Sequence, residues 1–215
     1  MEPNESLRFL VVRHGHIDHS VALGPETPLS PRGQAQADWL GPALGAEGVT
    51  ALLTSPFARA RETAARLAGP LGLEPTIEAA LAEFEIGIEG ISSYEESQEA
   101  RSDLAIWHPE HRGPRESLAD FQTRVTALLT ALSLRAAPGD TLVLVTHAGV
   151  IDAVLRWAWG LTSRNVWLAE VRAPHASITE IEHWPRGRHP EGAPHYSVVQ
   201  RIGDASALPG ELQSE

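Results

Sequence analysis

Apolar residues in this chain fall into short continuous runs and into longer stretches that repeat every three to four positions. Residues 7–12, with Arg8 the polar interruption, read as a buried strand, and 141–146 (TLVLVT) as the strongest strand of all. Weaker strand patterns cover 49–54, 166–172, 177–184 and 196–202, and 74–80 is a connection or a further short strand. Ser30-Pro31 has the chemistry of an N-cap and first helical position, predicting a helix to about Leu44, which Gly33 and Gly41 weaken. Ser55-Pro56 predicts a second helix by the same logic, with Phe57, Ala60, Ala64, Leu67 and Leu71 on its buried face. A third spans 118–137, with Phe121, Val125, Leu128, Leu129 and Leu132 inward and Pro138-Gly139-Asp140 as its stop. A fourth begins at Val150 and carries Ile151, Val154, Leu155 and Ala158.

Strands alternating with helices describe an α/β domain. The 215 residues suit one such domain, placed here at 1–203, and 204–215 read as a flexible, frayed tail. Between Glu83 and Glu116 the periodicity is poor and the composition acidic, so 84–116 reads as a partly helical excursion over the site.

Composition narrows the class. Apolar residues make up 42% and charged residues 21%, which is a globular balance. Cysteine is absent, which excludes disulfides and thiolate metal sites. The first residues lack a basic n-region, and no segment approaches a membrane span, so a cytoplasmic protein is expected. A net charge of −11, from 17 basic and 28 acidic residues, disfavours nucleic acid and anionic membranes as partners. Any phosphate site must then be a local cationic pocket.

Candidate chemistry lies where two strands end. Arg13, His14 and Gly15 follow the first strand, at the carboxyl-terminal edge where open α/β sheets bind ligands. Arg13 offers a planar fork for phosphate oxygens, and His14 a nucleophilic or basic nitrogen. His147, Ala148 and Gly149 follow the strand 141–146 in the same way, so the two motifs suggest one shared pocket. Arg59 falls in the first turn of the second helix, where an anion would meet its guanidinium and free backbone N–H groups together. The alternative is that Arg59, Arg61 and Arg66 are solvated, with Glu62 pairing locally.

His14, His16, Asp18 and His19 also spell HxHxDH, which is similar to the zinc signature of the metallo-β-lactamase fold. That reading needs more ligands downstream, yet no histidine occurs between His19 and His108.

Taken together, these motifs resemble the histidine phosphatase superfamily over about 7–179. Arg13-His14-Gly15 looks like its namesake motif, and Leu29-Ser30-Pro31-Arg32-Gly33-Gln34-Ala35-Gln36-Ala37 is similar to its Leu-Thr-x-x-Gly-x-x-Gln-Ala helix. Ser55-Pro56-Phe57-Ala58-Arg59-Ala60-Arg61-Glu62-Thr63-Ala64 resembles the run bearing the second phosphate arginine, Leu81-Ala82-Glu83 the general-acid motif, and Val145-Thr146-His147-Ala148-Gly149-Val150 the second histidine motif. Glu116-Ser117 resembles the Gly-Glu-Ser that opens a later helix, with Pro114-Arg115 in place of the glycine. His16-Ile17 and Ile86-Gly87-Ile88-Glu89-Gly90 depart from the family pattern around the leaving-group pocket.

The resemblance implies a three-layer α/β/α sandwich with a mostly parallel central sheet, of the phosphoglycerate mutase-like kind. It implies a phosphomonoesterase acting on a small phosphorylated metabolite. His14 would be the nucleophile, Arg13, Arg59 and His147 the phosphate ligands, the Ala148 N–H a further donor and Glu83 the acid–base. No metal and no cofactor are expected. Three alternatives stand beside it: a phosphoglycerate-type mutase, a zinc-dependent hydrolase built on HxHxDH, and an inactive phosphate-binding module. Mutases of the family carry a larger insertion after the acid motif than 83–116 provides.

Overall fold

The computed structural model describes residues 6–84, 116–165, 171–185 and 196–213. Its centre is a sheet of six strands: β1 (Leu7–Arg13), β2 (Ala51–Thr54), β3 (Thr76–Ile77), β4 (Thr141–Thr146), β5 (Ile178–Trp184) and β6 (Tyr196–Asp204). Their order is β3-β2-β4-β1-β5-β6. The first four run parallel, while β5 is antiparallel to β1 and β6 to β5. Four α-helices cover the sheet among the described residues: α1 (Pro31–Gly45), α2 (Ala58–Leu71), α3 (Leu118–Arg135) and α4 (Ala148–Ala158).

The layering follows from the two-residue period of the strands. Leu7, Phe9 and Val11 of β1 and Leu142 and Leu144 of β4 pack with α3 and α4 residues such as Phe121, Val125 and Val154. Leu10, Val12, Val143 and Val145 point the other way, onto Leu40, Leu44, Ala60, Ala64 and Leu67 of α1 and α2. Every residue of β4 is buried, which is why it reads as a continuous apolar run. The result is the expected α/β/α sandwich.

The glycines that weaken α1 in sequence are contact points. A Cβ at Gly33 would collide with the His16 carbonyl, and one at Gly41 would sit 2.8 Å from Pro70 Cγ. Close backbone approach to the site loop and to α2 thus offsets their helical cost. Ser30 caps α1 as predicted, accepting the Gly33 N–H at 3.1 Å.

Elsewhere the structure corrects the sequence reading. Ser55-Pro56 does not open α2; the helix begins at Ala58 with Phe57 as N-cap, and Ser55 Oγ instead accepts the Phe57 N–H at 3.2 Å. Likewise α4 starts at Ala148, with His147 itself as N-cap, rather than at Val150. Val171 and Arg172, read as strand, lie in irregular backbone, and 166–170 lie outside the described residues. The excursion likewise lies outside them from 85 to 115. The segment expected to fray packs instead: Leu208 is buried, Leu212 joins the α1–α2 cluster, and the carbonyls of Leu212 and Gln213 accept from Gln36 and Arg32. Among the described residues no helix is long and apolar enough to cross a membrane.

Candidate active site

Parallel pairing of β1 with β4 sets Arg13 opposite Thr146 and brings the ends of both strands together. The ladder continues one residue further, His14 N–H donating to the Thr146 carbonyl at 2.9 Å. His14 and His147 therefore stand side by side, ring centroids 5.0 Å apart, both buried. The shared pocket inferred from the two motifs is a direct product of this register.

The tautomer of His14 follows from its neighbours. Arg59 Nε lies 3.2 Å from His14 Nε2, and a guanidinium only donates, so Nε2 carries a lone pair. The ring proton is then on Nδ1, which donates to the Gly15 carbonyl at 2.7 Å. Burial, and after it the charge of Arg59, hold the His14 pKa well below that of a free imidazole. His14 is thus a neutral base with its free electron pair fixed in direction.

Arg59 is not on a solvated face. It is 6% exposed, and its Nη1 donates to the Gly24 carbonyl at 2.9 Å. Thr63, one turn along α2, accepts the Gly15 N–H at 3.1 Å and donates to the Arg59 carbonyl at 2.8 Å, tying helix to loop. Arg61 and Arg66 do face outward, pairing with Glu26 and Asp38. Glu62 does not pair locally as the solvated alternative supposed; its carboxylate takes the Leu29 N–H at 3.0 Å.

His147 Nε2 is 2.7 Å from Ser55 Oγ. Its Nδ1 is buried with no hydrogen-bond partner among the described residues. Burial, then Arg59 and Arg13, push its pKa well below the usual imidazole value. An unpaired buried polar atom costs stability and marks a place where a ligand can supply the missing bond.

Glu83 joins this group. Its Oε2 accepts the Gly149 N–H at 3.0 Å in the first turn of α4, and its Oε1 the Phe84 N–H at 2.9 Å. A Cβ at Gly149 would collide with Glu83 Oε1, so the glycine makes room for the carboxylate. The approach is held from behind. Arg124 donates to the carbonyls of Ala80 and Ala82 at 2.7 and 2.9 Å and is fixed by Glu116, and Thr146 Oγ1 donates to Leu81 O at 2.7 Å. Glu85 and Glu89 lie outside the described residues.

Arg13 donates to the Ala173 carbonyl at 2.5 Å and to His175 Nε2 at 3.1 Å. His175 has no motif around it in the sequence, yet its ring lies 5.6 Å from that of His14 and 5.3 Å from that of His16. His16 is tied to Ser30 Oγ at 2.8 Å and stacks near His19 at 4.9 Å. Ser55, Thr63, Arg124 and His175 are site residues that the sequence reading did not identify. The HxHxDH reading fits poorly, because His14 Nε2 faces a guanidinium that would repel a metal ion. Among the described residues no group of three or more His, Asp or Glu side chains is arranged to hold one.

The sequence profile of the histidine phosphatase superfamily (branch 1) matches residues 9–192. A probable phosphoglycerate mutase GpmB of Klebsiella pneumoniae is 28% identical, with 97% of this chain and 98% of that protein aligned. Among solved structures, a mycobacterial glucosyl-3-phosphoglycerate phosphatase superposes with a TM-score of 0.72 at 24% identity, covering 93% of this chain and 99% of that one. A phosphoserine phosphatase of Entamoeba histolytica gives 0.72 at 16% identity, covering 94% and 100%. At such identities the two structures establish a shared fold, whereas the profile spans most of the chain and runs through Arg13, His14, Arg59, Glu83 and His147. The chain belongs to the histidine phosphatase superfamily, in its first branch.

Proposed function

We infer that this protein is a metal-independent phosphomonoesterase that works through a phosphohistidine on His14. The observation that supports it most is the state of His14: neutral, buried, its proton held on Nδ1 by Gly15 O and its lone pair on Nε2. Nε2 attacks phosphorus in line as the ester P–O bond breaks, and the electron pair leaves with the alcohol oxygen. The Glu83 carboxyl gives that oxygen a proton. Water then attacks the phosphohistidine, Glu83 takes the water proton, and the P–N electron pair returns to Nε2.

Charge on the transferring group is met by Arg13, Arg59 and His147. Arg59 exchanges its resting bond to Nε2 for phosphate oxygens. With the Ser55 hydroxyl proton directed to His147 Nε2, the His147 N–H stands on Nδ1, which has no hydrogen-bond partner among the described residues. That N–H donates to an equatorial oxygen, and the Ala148 N–H at the start of α4 adds another. Two guanidiniums supply the charge that a metal would otherwise provide.

The substrate is a small phosphorylated metabolite. Relatives named as phosphoglycerate mutases keep a mutase reading open, in which the phosphoryl group returns to bound substrate. The deciding experiment is turnover of p-nitrophenyl phosphate and 3-phosphoglycerate by chelator-treated enzyme. Stoichiometric release of inorganic phosphate from both supports the phosphatase. Conversion of 3-phosphoglycerate to its isomer without phosphate release supports the mutase, and loss of activity restored by zinc overturns the metal-free mechanism.

A further inference from the structure

We propose that His175 is the positioning residue that holds Arg13 for phosphate, through an Nε2 lone pair that accepts one guanidinium N–H. This rests on the phosphate-binding role given to Arg13 above. Arginine has donors only, so the 3.1 Å contact of Arg13 Nη2 with His175 Nε2 fixes the imidazole as an acceptor there, with its proton on Nδ1. The same short segment supplies a second acceptor, Ala173 O, to Arg13 Nη1. Both terminal nitrogens of one guanidinium are thus held by residues 173–175, which orients the plane of the fork as a single bond would not.

The segment is itself fastened to the backbone it serves. The Ala176 N–H is shared between the carbonyls of Arg13 at 3.1 Å and His14 at 3.2 Å. Ala176 reaches this position in the left-handed region, φ 55°, fully buried and without being a glycine. Such a conformation persists only where surroundings over-determine it, and functional sites are where it collects. Arg13 N–H in turn donates to Ser177 O at 3.1 Å, and Ser177 Oγ closes the turn onto Pro174 O at 2.6 Å. The distance between the His175 ring and the Arg13 fork is therefore set by backbone bonds on both sides.

Among the described residues, the groups around His175 include Arg13, His14, His16, His19 and Arg32, while the Asp18 carboxylate by His19 is engaged with Ser20. Burial first, then Arg13, His16, His19 and Arg32, lower its pKa to about 2. A second proton would turn the acceptor into a cation against Arg13, and this environment prevents it. The clamp stays an acceptor through the acidic range.

The test compares wild type, His175→Ala and His175→Gln. Glutamine places an oxygen acceptor near the reach of Nε2 and does not titrate. Inorganic phosphate affinity by calorimetry, kcat and KM for p-nitrophenyl phosphate, and melting temperature are measured for each. The alanine variant should weaken phosphate binding about tenfold or more and raise KM, and glutamine should restore both to within about threefold, measured at a temperature where the melts show all three proteins folded. Phosphate affinity unchanged in His175→Ala, or alanine and glutamine equally impaired, would overturn the proposal. In wild type, ¹⁵N NMR of His175 should show an unprotonated Nε2 at every pH at which the protein is folded, and a protonated Nε2 would also overturn it. Should wild type bind phosphate without turnover, the phosphatase reading fails while the affinity comparison still decides the role of His175. A wild type that binds no phosphate overturns both.

Discussion

Gly149→Ala separates catalysis from stability at one atom. In a helix, glycine is worse than alanine by about 0.5–1 kcal/mol, so away from any contact this change stabilises α4. Here the new methyl would overlap Glu83 Oε1 and stand 3.2 Å from its Cδ. The carboxylate must withdraw by on the order of 1 Å, a displacement that costs about 10²-fold in rate when it falls on a group taking part in the chemistry. Because Oε2 is anchored to the N–H of the same residue, Glu83 cannot move aside and keep that bond. The loss should track leaving-group chemistry. With an alkyl phosphate, kcat/KM should fall about 10²-fold, or ~2.7 kcal/mol of barrier, approaching the ~3–5 kcal/mol expected for Glu83→Ala. With p-nitrophenyl phosphate, whose leaving group departs unaided, the first step should stay fast. A nitrophenol burst should then precede slow turnover, since dephosphorylation still needs Glu83. The assays are rapid-mixing kinetics on both substrates and a thermal melt. An equal loss on both substrates without a burst, or full activity on the alkyl ester, would refute the assignment of Glu83 as acid. The broken Gly149–Glu83 bond, partly offset by the helical gain, should lower the melting temperature only modestly, and a drop larger than one hydrogen bond explains would refute the claim that the methyl acts through Glu83 rather than on the fold.

Other outcomes follow from the same contacts. Arg59→Ala should cost on the order of 10²-fold or more in kcat/KM, against little for Arg61→Ala or Arg66→Ala, whose partners are the exposed carboxylates of Glu26 and Asp38. Equal small effects at all three would remove Arg59 from the pocket. His14, His147 and His175 are all held neutral when folded, below the ordinary imidazole pKa, whereas the unfolded chain protonates them near pH 6.5. The unfolded state therefore binds more protons below that pH, and stability present above it should decline as pH falls, by up to roughly 4 kcal/mol per unit for three groups. Denaturant melts from neutral pH down to about 5 check this, and a flat profile would contradict buried neutral imidazoles.

The parts of the fold legible in the sequence are those whose signal is local. β4 is buried on both faces and so has no polar position to disguise it, and Ser30-Pro31 caps its own helix within three residues. Ser55-Pro56 looks the same, but its hydroxyl is also used by His147, a partner 92 positions away, and α2 starts later. His175 carries no local mark because its place depends on β5 running antiparallel to β1, which starts the returning strand where β1 ends. Arg124 reads as one more solvated helix charge until Ala80 and Ala82 are folded beneath it. In the C-terminal segment two leucines four apart, Leu208 and Leu212, among Pro, Gly, Ser and acidic residues, hide a docking contact inside a composition that suggests fraying. His14 and His147 are readable because each directly follows a strand, and Arg59 because it lies in the first turn of α2, whereas Glu83, in irregular backbone, is marked only by the Leu81-Ala82-Glu83 resemblance.

The central claim is that His14 attacks phosphorus through Nε2. It is tested by mixing enzyme with p-nitrophenyl phosphate, quenching in alkali during the first turnover, and locating the phosphate by peptide mapping and ³¹P NMR. The account predicts one acid-labile phosphate, on His14, attached at Nε2, because Nδ1 holds its proton against Gly15 O. Phosphate on Nδ1, on another residue, or on no residue while product forms would contradict it.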